Sequence, residues 1–126
     1  MGGVSVVERP LRGARVWRWT TFSGVLLLVL VTVHMVAHHF VVEEIGGLRD
    51  YASVLDYVSS PIIVASEGTF LVAVTIHAML GLRGVLLDLG PGARGRRRID
   101  VGLSALGTAT IAYGAFLLGT LASRAA

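Results

Sequence analysis

The sequence predicts an all-α integral membrane protein with three spanning helices, and three observations carry that reading. Apolar residues make up 54% of the 126-residue chain and charged residues only 15%, against roughly 25% in soluble domains. Three apolar runs are each long enough to cross hydrocarbon, which takes roughly 20 residues of helix. The arginines gather mainly at the ends of those runs. Lipid offers no hydrogen-bond partner to an open strand, so each spanning backbone must be helical. The length suits a single transmembrane domain over residues 1–126.

The first predicted span is about Thr20–Val42, uncharged apart from its histidines, and Glu43 and Glu44 stop it. The stretch Val41–Ser59 exceeds a tight turn and reads as a short interfacial helix, with Tyr51 and Tyr57 at headgroup level. Ser59-Ser60-Pro61 fits a helix start, with Ser near the cap and Pro in the first turn. The second span runs from about Ile62 to Asp88, interrupted by Glu67 and Arg83. Gly90-Pro91-Gly92 ends it and opens a short basic loop. The third span is about Val101–Ser123, rich in Gly, Ala, Ser and Thr. Small residues let helices approach closely in lipid, which suits a packing helix without chemistry. Residues 1–8 are expected to be poorly ordered.

Charge gives the orientation. Arg9, Arg12, Arg15 and Arg18 precede the first span, and Arg94, Arg96, Arg97 and Arg98 lie between the second and third. The first loop instead holds Glu43, Glu44, Asp50 and Asp56 against Arg49. The positive-inside rule then puts the N-terminus and the second loop in the cytoplasm. The net charge of +3 comes with no lysine; arginines so placed report topology, with lipid rather than nucleic acid as the partner. The start of the chain does not read as a secretory signal, because the run after its basic stretch has span length and no small-residue cleavage site follows. With no cysteine, the chain can form neither disulfides nor thiolate metal or iron–sulfur sites of its own.

The candidate chemistry lies in the histidines. His77 and His34 both sit inside apolar runs, and an imidazole in hydrocarbon marks function by default. By helix rise, His34 lies about 21 Å from the cytoplasmic boundary taken at Thr20. His77 lies about 17 Å from the same boundary taken at Asp88. Ala73, His77, Gly81 and Gly84 form one stripe by i+3 and i+4 steps, and missing side chains beside a ligand leave room for a flat macrocycle. Intramembrane imidazoles beside small residues point to b-type haem ligation. The other reading is an interhelical hydrogen bond for each histidine and a helix contact for the glycine stripe. His34 and His38 share a face at i, i+4 and Ser23 falls on that face, while His39 is rotated away. His38 and His39 lie nearer the surface, where histidine is cheap. A structural zinc site wants about four N, S or O ligands, and no clear set is visible. Arg83 suits either a haem propionate, bound bidentately, or snorkelling to the interface. Glu67 reads as an interfacial carboxylate or part of a proton path. Asp88, ending the second span, suits an ion pair with Arg94 or its neighbours.

Three stretches together resemble the membrane anchor, or cytochrome b, subunit of succinate dehydrogenase/fumarate reductase. His77-Ala78-x-x-Gly81 followed by Asp88 is similar to that family's haem helix. Ser23-Gly24-Val25 is similar to its first-helix Ser-Gly signature, and His34-Met-Val-Ala-His38-His39-Phe40 to a His-x-x-x-Asn-His motif of two-haem anchors. The resemblance spans roughly residues 17–90. It implies His77 as an axial ligand of haem b, and His34 as a ligand where two haems are present, with the second ligands from a partner anchor chain. It also implies a quinone site near Ser23, Arg18 and Asp88. Many relatives carry Tyr after the terminal Asp, where this chain has Leu89, and Arg two positions before Ser-Gly, where it has Thr21.

The implied function is that of a three-helix anchor packed with that second anchor subunit. It would fasten an iron–sulfur subunit and a flavoprotein subunit to the cytoplasmic face of a bacterial or archaeal membrane. Electrons from succinate would pass through the clusters to membrane quinone, and the chain itself would do no succinate chemistry. Two other readings stand beside it. One is a b-type cytochrome anchor of another dehydrogenase. The other is a haem-free assembly factor or transporter component, in which the histidines relay protons or pack.

Overall fold

A computed structural model describes residues 11–44 and 50–126, and the side chains of 14–40 and 50–126. The expectations for residues 1–8, Arg9 and Arg49, and for the side chains of Arg12, Glu43 and Glu44, lie outside the described residues. The described chain is all-α: α1 is Leu11–Glu44, α2 Tyr51–Val58, α3 Pro61–Asp88 and α4 Ala93–Ala125. Three helices are long and apolar enough to cross a membrane, with spans Ala14–Phe40, Pro61–Asp88 and Ala93–Ala125.

Two helices outrun their predicted spans. α1 begins at Leu11 rather than near Thr20, and α4 begins at Ala93 rather than near Val101. Arg94–Arg98 therefore form the first turns of α4, not a loop. An apolar run marks where lipid must be, whereas a helix continues as far as its residues favour it, and arginine is a good helix former. The α3–α4 connection is correspondingly tight. Gly90 adopts φ 71°, the left-handed conformation that glycine enters without steric cost. Its N–H donates to the Leu87 carbonyl at 3.1 Å, and Gly92 then caps α4.

The expected interfacial helix is α2. Its start is a capping box: Ser53 N–H donates to Asp50 Oδ1 at 2.8 Å, and Asp50 N–H donates to Ser53 Oγ at 3.2 Å. These bonds hold the Asp50 carboxyl below its usual pKa of 3.8, the backbone bond most strongly. Ser60 and Pro61 start α3 as predicted, although the Ser60 side chain makes no cap bond. The two tyrosines of α2 part company. Tyr51 is exposed and its hydroxyl accepts from Arg124 Nη1 at 3.2 Å, whereas Tyr57 is only 6% exposed.

α3 is the middle helix, packed against α1 on one side and α4 on the other, with α2 against α3 and α4 at the end away from Arg94–Arg98. The α3–α4 seam uses the small residues predicted for close approach. A Cβ on Gly114 would lie 2.6 Å from Leu71 Cδ2, and one on Gly107 would lie 3.1 Å from Met79 Cγ. The outward faces are apolar; Trp17, Leu28, Phe40, Val85 and Phe116 are all more than 60% exposed. Such surface is what lipid or further membrane helices cover.

Candidate functional site

The α1–α3 seam carries the polar chemistry at two levels. At the first, Ser23 Oγ lies 3.1 Å from His77 Nδ1 and donates to the Thr20 carbonyl at 2.9 Å. A hydroxyl has one proton to give. With that proton on Thr20, the His77 contact requires Nδ1–H to donate to Ser23. The proton on Nδ1 leaves a lone pair on Nε2, the form in which a neutral imidazole ligates a metal. Ser23 is 8% exposed, so water does not compete for this bond. Gly24 completes the contact: a Cβ there would stand 3.4 Å from His77 Cε1. Ser23 and Gly24 thus hold His77 from one side. One and two turns further along α3, Gly81 and Gly84 are exposed, with nothing within 4 Å of where a Cβ would be. A single available Nε2, an oriented ring and an open glycine stripe suit an axial ligand of a planar macrocycle.

At the second level, His34 Nδ1 lies 3.0 Å from Glu67 Oε1, and the Tyr57 hydroxyl donates to the same oxygen at 2.8 Å. Phe70 stacks on the His34 ring at 4.9 Å and 18°, and His38 lies at 4.3 Å on the same helix. His34, His38 and Glu67 each present a ligand atom within 4.8 Å of the others. Burial, and then the bond to Glu67, push the Tyr57 phenol well above its ordinary pKa of 10.0, so it remains a donor. No buried side-chain nitrogen or oxygen lacks a hydrogen-bond partner among the described residues.

The two levels correct the sequence-based depths. Those put His34 and His77 nearly level. Here Ser23 pairs with His77 and His34 with Glu67, so the sites are separated by ten or eleven residues of helix, about 15 Å. The error came from taking Thr20 as the cytoplasmic boundary, when α1 extends nine residues before it.

The other candidate residues are dispersed. Arg83 Nε donates to Asp100 Oδ1 of α4 at 2.6 Å, in a pair with side chains 36% and 47% exposed. It lines a groove of about 480 Å³ between α3 and α4, along with Met79, Leu103 and Gly107. Arg18 is exposed beside Trp19 and Phe22. Those aromatics lead into an apolar cleft of about 630 Å³ between α1 and α3, walled also by Ser23, Leu26, Val72 and Ile76. Asp88 is exposed at the end of α3, about 17 Å along the helix from His77. Sequence reasoning missed the grouping of Glu67, His38 and Tyr57. The i, i+4 histidine pair was the available signal, but its partners come from two other helices.

Comparison with known proteins finds relatives of the chain. The family described as succinate dehydrogenase/fumarate reductase transmembrane subunit matches residues 6–117. A succinate dehydrogenase hydrophobic membrane anchor subunit of Archaeoglobus fulgidus is 32% identical over 102 residues, covering 81% of this chain and 85% of that protein. No solved structure matches the chain.

Proposed function

Because the chain belongs to the succinate dehydrogenase/fumarate reductase transmembrane subunit family, we propose that it is the haem b-binding anchor of a succinate:quinone oxidoreductase. It is an integral protein of a prokaryotic cytoplasmic membrane, and an anchor subunit works within a complex. The finer reading is that it pairs with a second anchor chain and fastens an iron–sulfur and a flavoprotein subunit to the membrane. The arginines around α1 and at the start of α4 support a cytoplasmic N-terminus.

The observation that carries the reading is the Ser23–His77 bond, which leaves Nε2 for iron. His77 would hold haem b from this chain, and the partner anchor chain would supply the opposite ligand. When bound, haem b supplies a one-electron redox centre in the path between the iron–sulfur clusters and quinone. Ser23 fixes the tautomer and ring plane of His77, and Gly24 lets α1 approach closely enough to do so. Arg83 uses Nε for Asp100, and its two Nη groups are the donors a propionate would take. In a complex with two haems, His34 would hold the second, with Glu67 orienting its ring. The apolar cleft beside Ser23 suits membrane quinone as substrate, with Arg18 and Asp88 as polar groups toward the cytoplasmic side.

Haem b per covalent flavin in the natively purified complex tests this. A ratio near one that falls to zero in His77→Ala supports His77 alone as a haem ligand of this chain. A ratio near two, halved by His34→Ala, supports both histidines. Intact flavin without haem refutes the ligand assignment, and absence of any flavoprotein refutes the wider reading.

A further inference from the structure

We propose that His34, His38 and Glu67 form a binding site for one divalent transition-metal cation of the zinc class, separate from the haem ligand His77. The inference rests on the one-haem form of the reading above, in which no porphyrin iron occupies His34.

Three features of the cluster point to a cation. The first is spacing. Zinc binds imidazole nitrogen at about 2.0–2.1 Å and carboxylate oxygen at about 2.0–2.2 Å, so neighbouring ligands on a tetrahedron stand about 3.3 Å apart. His34 Nδ1 and Glu67 Oε1 stand 3.0 Å apart. The ligand atoms of all three residues fall within 4.8 Å of one another, so a change of side-chain rotamer brings the third into range. The i, i+4 spacing of His34 and His38 presents two imidazoles from one helical face, and α3 provides a carboxylate opposite.

The second is the support around the ligands. The Tyr57 hydroxyl donates to Glu67 Oε1 at 2.8 Å, which orients the carboxylate as outer hydrogen bonds do at metal centres. Phe70 is stacked on His34, and Tyr57 lies 5.4 Å from His38, ring centroid to centroid. Both rings therefore have aromatic neighbours from α2 and α3 that limit how far they move.

The third is access. The His34 and Glu67 side chains are 24% and 20% exposed, so the cluster is not sealed within this chain. Two imidazoles and one carboxylate favour zinc, nickel, cobalt or copper over magnesium or calcium, which prefer all-oxygen shells. The cluster lies about 15 Å along the helices from His77, so its occupancy and the haem can be measured independently.

The experiment uses the intact complex purified through this chain, stripped with a chelator, and then loaded with Zn²⁺ or with Co²⁺ as a spectroscopic probe. The expected result is one zinc per anchor chain by elemental analysis, and visible Co²⁺ absorption of tetrahedral type. Both are lost in His38→Ala and in Glu67→Gln. Tyr57→Phe weakens zinc about 10–100-fold, and His77→Ala leaves zinc binding unchanged. Haem content on His77 is unchanged in His38→Ala, which also shows that this variant folds and assembles. No zinc in the wild-type complex overturns the proposal. So does zinc that persists in both ligand variants, or a second haem that disappears with His34→Ala. Zinc bound at the cluster of a complex that lacks haem supports the metal site while refuting the haem reading.

Discussion

Replacing Ser23 by alanine removes one oxygen and tests how His77 is held. The hydroxyl is the partner of His77 Nδ1 at 3.1 Å and is buried, so neither water nor another side chain takes its place. Two consequences follow. Leaving a buried N–H unpaired costs about 1–3 kcal/mol. The Nδ1 proton also loses the acceptor that kept it there, so part of the population shifts to the tautomer with Nε2 protonated, which cannot ligate through that nitrogen. At about 1.4 kcal/mol per factor of ten, the first effect alone weakens haem retention about 5- to 150-fold. That range contains the 10–100-fold typical for loss of a ligand's outer hydrogen bond. The assay is the rate and extent of haem transfer from detergent-purified complex to an apomyoglobin acceptor, read by difference spectra. Ser23→Thr keeps the oxygen and should retain most of the wild-type affinity. Wild-type haem retention in Ser23→Ala, alongside complete loss in His77→Ala, would show that the serine does not position the ligand.

Other expected outcomes follow from the same packing. Gly24→Leu drives a branched side chain into the His77 ring and should abolish haem incorporation while the complex still assembles, as pyridine haemochrome and subunit stoichiometry will show. Gly114→Leu overfills the seam against Leu71 and should cost about 1–3 kcal/mol, seen as a lower thermal midpoint in detergent. Tyr57→Phe takes a donor from a half-buried carboxylate and should cost about 1–3 kcal/mol, measured the same way. The Asp50 carboxyl is held below its usual pKa. Its contribution to the α2 cap should therefore be fully present above pH 3.8 and fade as pH falls through the lower folded value; amide exchange at Ser53 reads this. Loss of protection beginning well above pH 4 would contradict the capping box.

The spans were legible because hydrocarbon imposes a length and a composition. α3 appears within a residue of its predicted limits, since Ser60-Pro61 and Gly90-Pro91 bound it on both sides. The starts of α1 and α4 were not legible, because arginine-rich segments flank the membrane yet remain helical. At the site, the Ser-Gly signature and His77 were each visible in the sequence, but the bond between them was not. It depends on the register of two antiparallel helices, and no local pattern encodes that. Arg83 shows the same limit: its partner Asp100 lies beyond the turn, in a stretch that read as loop. Tyr57 read as an interfacial tyrosine, and only the fold-back of α2 onto α3 makes it a donor to Glu67.

The two seams of α3 differ in a way that bears on how the protein is made. Between Asp88 and Ala93 the chain turns through four residues, one of them left-handed, and the seam that follows is closed by Gly107 and Gly114 on Met79 and Leu71. That seam is closed by its own side chains. The α1 seam is polar, with Ser23 paired to His77 and His34 to Glu67 across it. Biogenesis then has a natural order. The α3–α4 hairpin, joined by a short turn, can form as soon as its two helices are inserted, and α1 joins it by pairing polar groups that hydrocarbon would otherwise leave unsatisfied, so its docking is specified by register rather than by apolar area.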